Sequence, residues 1–173
     1  MGEGLIVRRG GTGITFKSVQ SGTVTVSTDM TVNVTISNVD TTKSFVMITY
    51  TTGMGFPARN RVRAHLSSST NLRLTRYSII GSISVHWIVY EIKDLKSLQW
   101  GTSDPVEGGT NYTISGVSKD NTLVIYSYDT SRDDSTAGMF TSIRLTTNTN
   151  LFIDRYLGHE GYYFKVTWYI LEF

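Results

Sequence analysis

Any chemistry in this chain has to come from a short list of side chains. There are three histidines and no cysteine. His65 precedes Leu66, His86 stands in Val85-His86-Trp87, and His159 lies in Gly158-His159-Glu160-Gly161. A metal site needs ligands that converge, and no spacing gathers these three, so they read as surface or half-buried histidines. The densest carboxylate run, Asp129-Thr130-Ser131-Arg132-Asp133-Asp134, offers hard oxygens suited to Ca²⁺. It lacks the glycine and terminal glutamate of an EF-hand loop, and reads as a solvated hairpin tip. No Gly-x-Ser-x-Gly elbow is present, and the hydroxyls are spread along the chain without a positioned base. Paired carboxylates of the glycosidase type find no support, because only Glu91 and Glu172 recur in matched segments. No catalytic residue, cofactor or metal is expected, and the chain is not read as an enzyme.

Two other groups of residues stand out. Arg59, Arg61 and Arg63 alternate, so on a strand they project from one face as a positive stripe, suited to contact with a phosphate or an acidic protein partner. Charges of this kind also guard edge strands against unwanted pairing. Trp87 lies in phase with Ile83, Val85 and Val89, and Trp168 with Phe164, Val166 and Ile170. A tryptophan on an all-apolar face is a core anchor rather than a sugar platform. Glu91, Glu172, Arg76 and Arg155 continue the inward phases of their segments and need partners or water. If 71–76 and 83–92 form a hairpin, Arg76 and Glu91 fall at opposite ends, and any pairing between them must cross between copies or subunits.

The elements that position these groups are strands. The 173 residues include 25 Thr and 19 Ser, with frequent Val, Ile, Tyr and Phe, the types that suit a pleated, half-buried surface. Every second residue is apolar in Thr23-Val24-Thr25-Val26 and in Thr31-Val32-Asn33-Val34-Thr35-Ile36, the two-residue period of a strand. Further strands are predicted at 44–50, 61–66, 71–76 and 82–92, with turns at Gly53-Met54-Gly55-Phe56-Pro57 and Ser78-Ile79-Ile80-Gly81. Charged residues make up only 17% and the net charge is +2, too little for a nucleic-acid or anionic-membrane partner. No apolar run is long enough for a membrane helix, and the polar start lacks the apolar stretch of an export signal, so a soluble, unexported chain is expected.

An internal repeat organises the whole. Lys17-Ser18-Val19-Gln20 returns as Lys96-Ser97-Leu98-Gln99, and Thr35-Ile36-Ser37-Asn38-Val39 as Thr113-Ile114-Ser115-Gly116-Val117. Phe45–Tyr50 lines up with Leu123–Tyr128, Thr70–Tyr77 with Thr149–Tyr156, and Val85–Ile92 with Val166–Phe173. Five blocks in conserved order predict a tandem duplication: an all-β chain of two antiparallel sandwich or barrel-like modules, 14–93 and 94–173, packed together about a pseudo-twofold axis. Residues 1–13 are predicted to form an extended, Gly-rich arm. Its Leu5, Ile6, Val7, Arg8 and Arg9 carry the apolar and basic groups that can add to a neighbour's sheet edge.

The Lys-Ser-(Val/Leu)-Gln opening, the Thr-Ile-Ser-x-Val block, the Leu-x-(Leu/Ile)-x-Arg segment and the closing Trp-x-(Val/Ile)-x-Glu-(Ile/Phe) strand resemble the small β-modules in virion proteins of tailed bacteriophages. The arm is similar to those that phage structural proteins lay on neighbouring subunits. The resemblance implies a non-enzymatic particle component, a capsid decoration or cement protein or a tail-associated one, made in the host bacterial cytoplasm and located in the virion. Its implied partners are copies of itself, as a homo-oligomer, and capsid or tail subunits. Residue chemistry alone reaches a neighbouring expectation, a structural or binding module without a reactive site. The alternative expectation is a carbohydrate- or receptor-binding module of a tail appendage, presenting Tyr156, Tyr162 and Tyr163 to a glycan.

Overall fold

The computed structural model describes residues 13–27, 29–52, 61–77, 81–105, 108–130, 141–155 and 164–173. Strand is the dominant state. The first half contains β1 (Phe16–Val26), β2 (Thr31–Thr35), β3 (Ser44–Thr52), β4 (Arg63–Ser68), β5 (Asn71–Thr75) and β6 (Ile83–Ile92). They form two antiparallel sheets ordered β1-β6-β3 and β2-β5-β4. In the second half β7 (Ser97–Ser103), β8 (Thr110–Thr113), β9 (Thr122–Thr130), β10 (Thr141–Thr147), β11 (Asn150–Arg155) and β12 (Phe164–Glu172) form sheets ordered β7-β12-β9 and β8-β11-β10. The pairing order is the same in both halves. In each, the first and last strands pair, and the second and fifth pair, as a ribbon passing from one sheet to the other, the winding used by jelly rolls.

The sheets follow from the alternation in the sequence. Along β1 the small or apolar positions Gly22, Val24 and Val26 face inward while Thr23 and Thr25 are exposed. On β6 Ile83, Val85, Trp87 and Val89 are buried and Ser84 and His86 exposed. Opposite them Leu72 and Leu74 of β5 are fully buried, so the inner faces of the two sheets share one core. The second half repeats this with Leu151, Ile153, Phe164, Val166 and Ile170. The segments 71–76 and 83–92 do not form a hairpin, however. β5 pairs with β2 and β4, and β6 with β1 and β3, so these two neighbours in sequence lie in opposite sheets.

The recurring polar blocks are the fastenings of this fold. In the first half Glu91 is buried and accepts hydrogen bonds from Lys17 Nζ at 2.7 Å, Ser18 Oγ at 2.9 Å and the Asp40 amide at 3.2 Å. A register shift between Phe16 and Ser18 lets two consecutive side chains reach the one carboxylate. Glu172 repeats the arrangement with Lys96 Nζ at 2.7 Å, Ser97 Oγ at 3.0 Å and the Ser118 amide at 2.8 Å. The glutamine of the block binds backbone in both directions. Gln20 accepts from Ser37 N at 2.7 Å and donates to Ser37 O at 3.0 Å, and Gln99 does the same with Ser115 at 2.8 and 3.0 Å. A buried carboxylate and a two-way amide clamp thus tie the segment after the second strand to the opening strand.

Candidate functional site

The residues with unusual environments converge where the halves meet. Their contact is made by the β4 edge of the first half lying on the outer face of sheet β7-β12-β9. The Ala64 amide, free of ladder pairing on this edge, donates to Ser127 Oγ at 3.0 Å. Arg63 Nε stands 3.1 Å from Asp129 Oδ2, close enough for an ion pair though off the angle of a hydrogen bond. Arg61 stacks over the Tyr128 ring, 4.5 Å from its centroid, and also reaches the Tyr128 hydroxyl. The His65 ring stacks on Trp100 at 5.5 Å, and Phe45 of β3 meets Tyr169 of β12 edge-on at 6.5 Å. Tyr169 and Leu171 complete the hydrophobic core that also holds Leu66.

The electrostatics of this junction are governed by burial. Asp129 is fully buried, and loss of water pushes its carboxyl up to about 6 despite the opposing pull of Arg63 and Lys165. Burial, with Arg63 and Arg73 nearby, lowers the His65 ring below the ordinary histidine value. Beside the ion pair a cleft of about 280 Å³ opens between β3 and β9, lined by Val46, Met47, Ile48, Tyr50, Ile125 and Tyr128 among others. The Tyr50 hydroxyl is raised by burial there, with Arg61 acting against it.

The packing is one-sided. A pseudo-twofold axis would seat β10 on sheet β1-β6-β3 as β4 is seated on β7-β12-β9, and β10 makes no comparable contact with β1, β3 or β6 among the described residues. The expected pseudo-twofold relation is not seen among the described contacts. The physical reason lies in the side chains. Trp100, Tyr169 and Asp129 build the occupied face, whereas the matched positions of the first half hold Ser21, Ile88 and Thr51.

Several sequence expectations change accordingly. Arg61 and Arg63 are half-buried against the second half of the same chain instead of turned out to a partner. Asp129 belongs to this junction and not to a solvated hairpin tip. Among the described residues no three metal-ligating side chains come together, and no helix is long and apolar enough to cross a membrane. Trp87 is buried in the first core, while Trp168 is half-buried against the second and donates Nε1–H to Ser103 Oγ at 2.9 Å. Arg76 does not pair with Glu91. It donates to the backbone carbonyls of Gly81 at 2.8 Å, Asp29 at 3.4 Å and Ser27. His86 faces out beside Thr23, its Nδ1 3.3 Å from the Thr23 hydroxyl. The arm residues Leu5, Ile6, Val7, Arg8 and Arg9, together with Arg59, His159, Tyr156, Tyr162 and Tyr163, lie outside the described residues.

Sequence reading missed Trp100, Ser127 and Tyr169; Ser127 is matched by the hydroxyl of Thr49, but Trp100 and Tyr169 are matched by Ser21 and Ile88 in the first half. That mismatch between otherwise parallel repeats is the signal that could have found the junction. Comparison with protein-family models, with curated proteins and with solved structures finds no match.

Proposed function

We propose that this chain is a non-enzymatic structural protein of a bacteriophage particle, a capsid decoration or tail-associated component that acts by protein-protein assembly in the virion. The observation that carries the reading is the junction, where a sheet edge of one half seats on a sheet face of the other. The scaffold joins β-surfaces to one another, and its recurring polar side chains are spent holding the strands in place. Sheet faces rich in Ser and Thr and an apolar, basic arm remain for contact with other subunits. Quantitative mass spectrometry and immunogold labelling of purified particles test this. A fixed copy number is expected, falling when residues 1–12 are deleted while the circular dichroism of the isolated protein is unchanged. Particles that lack the protein overturn the reading.

A second reading, carbohydrate or receptor binding, draws on the cleft at the junction, lined by Tyr50 and by Tyr128, whose ring the Arg61 guanidinium covers. A glycan array with the purified protein separates the two, since only this reading expects saturable binding that Tyr50→Ala abolishes.

A further inference from the structure

Among the described residues the contact between the halves seats the β3–β4 side of the first half on the outer face of sheet β7-β12-β9, and it reaches the matched surfaces, the outer face of sheet β1-β6-β3 and the β9–β10 side, mainly at β3 and β9. On the occupied face, residues stand in cross-strand rows, Leu98-Leu171-Leu123 and Trp100-Tyr169-Ile125. The matched rows of the first half are Val19-Tyr90-Phe45 and Ser21-Ile88-Met47. Where Tyr169 and Leu171 are buried, their counterparts Ile88 and Tyr90 are half-buried, and Val19 and Met47 beside them stand 52% and 46% exposed. The edges show the complementary difference. Ala64 and Leu66 of β4 are buried, but their counterparts Ile143 and Leu145 on β10 are only half-covered. Phe45 is 5% exposed against Tyr169, and its counterpart Leu123 is 48% exposed. Val19, Met47 and Leu123 are thus left largely in water, while Ile143 and Leu145 are half-covered over the second core.

We propose that a second copy of this chain docks its β9–β10 edge on the outer face of sheet β1-β6-β3, repeating between chains the contact made within one. The docking edge and the receiving face are different surfaces, so the contact is heterologous, and each added chain presents a fresh edge and a fresh face. Such a contact closes into a ring or extends as a filament. The counterparts of Arg63 and Asp129 are Ser142 and Thr51. The contact between chains therefore buries no ion pair and avoids the desolvation cost of one. Val19, Met47, Ile88 and Leu123 hold it, and it forms reversibly with concentration. The inference deepens the assembly reading and rests on it, because it names the chain itself as one partner.

Met47→Glu on the face and Leu123→Glu on the edge test it, both at exposed positions where the fold tolerates charge. Circular dichroism verifies folding, and sedimentation velocity over a concentration series reads association. The wild type is expected to form species that grow with concentration. Each variant alone is expected to associate about tenfold more weakly or worse, from the charge placed in an apolar contact. Mixed one to one, the variants are expected to give a complex that stops at two chains, because the intact edge of Met47→Glu meets the intact face of Leu123→Glu. A twofold interface cannot produce that result. A mixture that stays monomeric, or a wild type that stays monomeric throughout, overturns the proposal. A wild type that associates through a contact neither substitution weakens also overturns it while leaving the assembly reading standing, and absence of the protein from particles removes that reading without touching this one.

Discussion

Lys17 and Glu91, 74 residues apart, meet at 2.7 Å where the first and last strands of the first half pair, and Lys96 and Glu172 repeat the contact at 2.7 Å in the second. Each carboxylate is almost wholly buried while its lysine remains largely exposed. The ammonium is therefore solvated at little cost, and the carboxylate is satisfied mainly by short-range donors, including a backbone amide. The hydrogen bonds from Lys96 and the Ser118 amide hold Glu172 at about 2, well below the ordinary 4.5. Glu91 is lowered too, its burial outweighed by Lys17, Ser18 and the Asp40 amide.

The acid limb of stability follows. A carboxyl lowered on folding stabilises the folded state above its unfolded value and loses that contribution as pH falls toward its folded value. Thermal melts should fall from about pH 4.5 toward pH 2, and Glu172→Gln should flatten this limb while lowering the melting temperature at neutral pH. A variant with the wild-type acid profile would show that the carboxylate is not what titrates.

How much of this was legible depends on whether a residue acts along its own strand or across the fold. The alternation around Trp87 and the recurrence of five blocks are properties of local sequence, and they carried the strands and the repeat. The partners of Glu91 were on the page, in a Lys-Ser pair that recurs whenever the glutamate does, but recurrence does not say that two blocks at opposite ends of a repeat touch. Arg76 pointed the same way and misled, because an inward arginine suggests a carboxylate and here it found carbonyls. The junction was least legible, since β4 docks by its edge, and an edge has no period of its own.

Gly22 illustrates the hidden class. It lies opposite Trp87 in the β1–β6 ladder, and a Cβ there would stand 2.6 Å from Trp87 Cζ2; Gly101 faces Trp168 at the same 2.6 Å. Gly22→Ala should cost about 1–3 kcal/mol by overpacking, and Trp87→Ala about 3–5 kcal/mol by emptying the site. In urea denaturation the Gly22→Ala penalty should shrink when Trp87→Phe is made in the same chain, since the smaller ring yields the space. Strictly additive effects would place the strain elsewhere.

Arg76 is 1% exposed and its guanidinium serves three backbone carbonyls from two connections. Arg76→Met should lose on the order of 3 kcal/mol in the same assay, because it strands those carbonyls without partners. Arg76→Lys should recover only part, as one ammonium on a flexible stem cannot span what a planar fork spans. Full rescue by lysine would mean that charge, not geometry, is what the site requires.

Asp129 should titrate in the opposite sense to the two glutamates. Its carboxyl is raised from 3.8 to about 6, chiefly by burial, with Arg63 too weak a partner to reverse the effect. A raised carboxyl means that the folded chain binds the extra proton, so its contribution is most favourable below the unfolded value and declines as pH rises from about 4 to about 6. That interval corresponds to on the order of 3 kcal/mol. Asp129→Asn mimics the protonated form. It should match the wild type near pH 4 and be the more stable protein at pH 7, with the decline between them abolished in thermal melts. Should the asparagine variant be the weaker at pH 7 and equal at pH 4, the ionised pair with Arg63 is the form the junction prefers, and the coupling between the halves is electrostatic rather than steric.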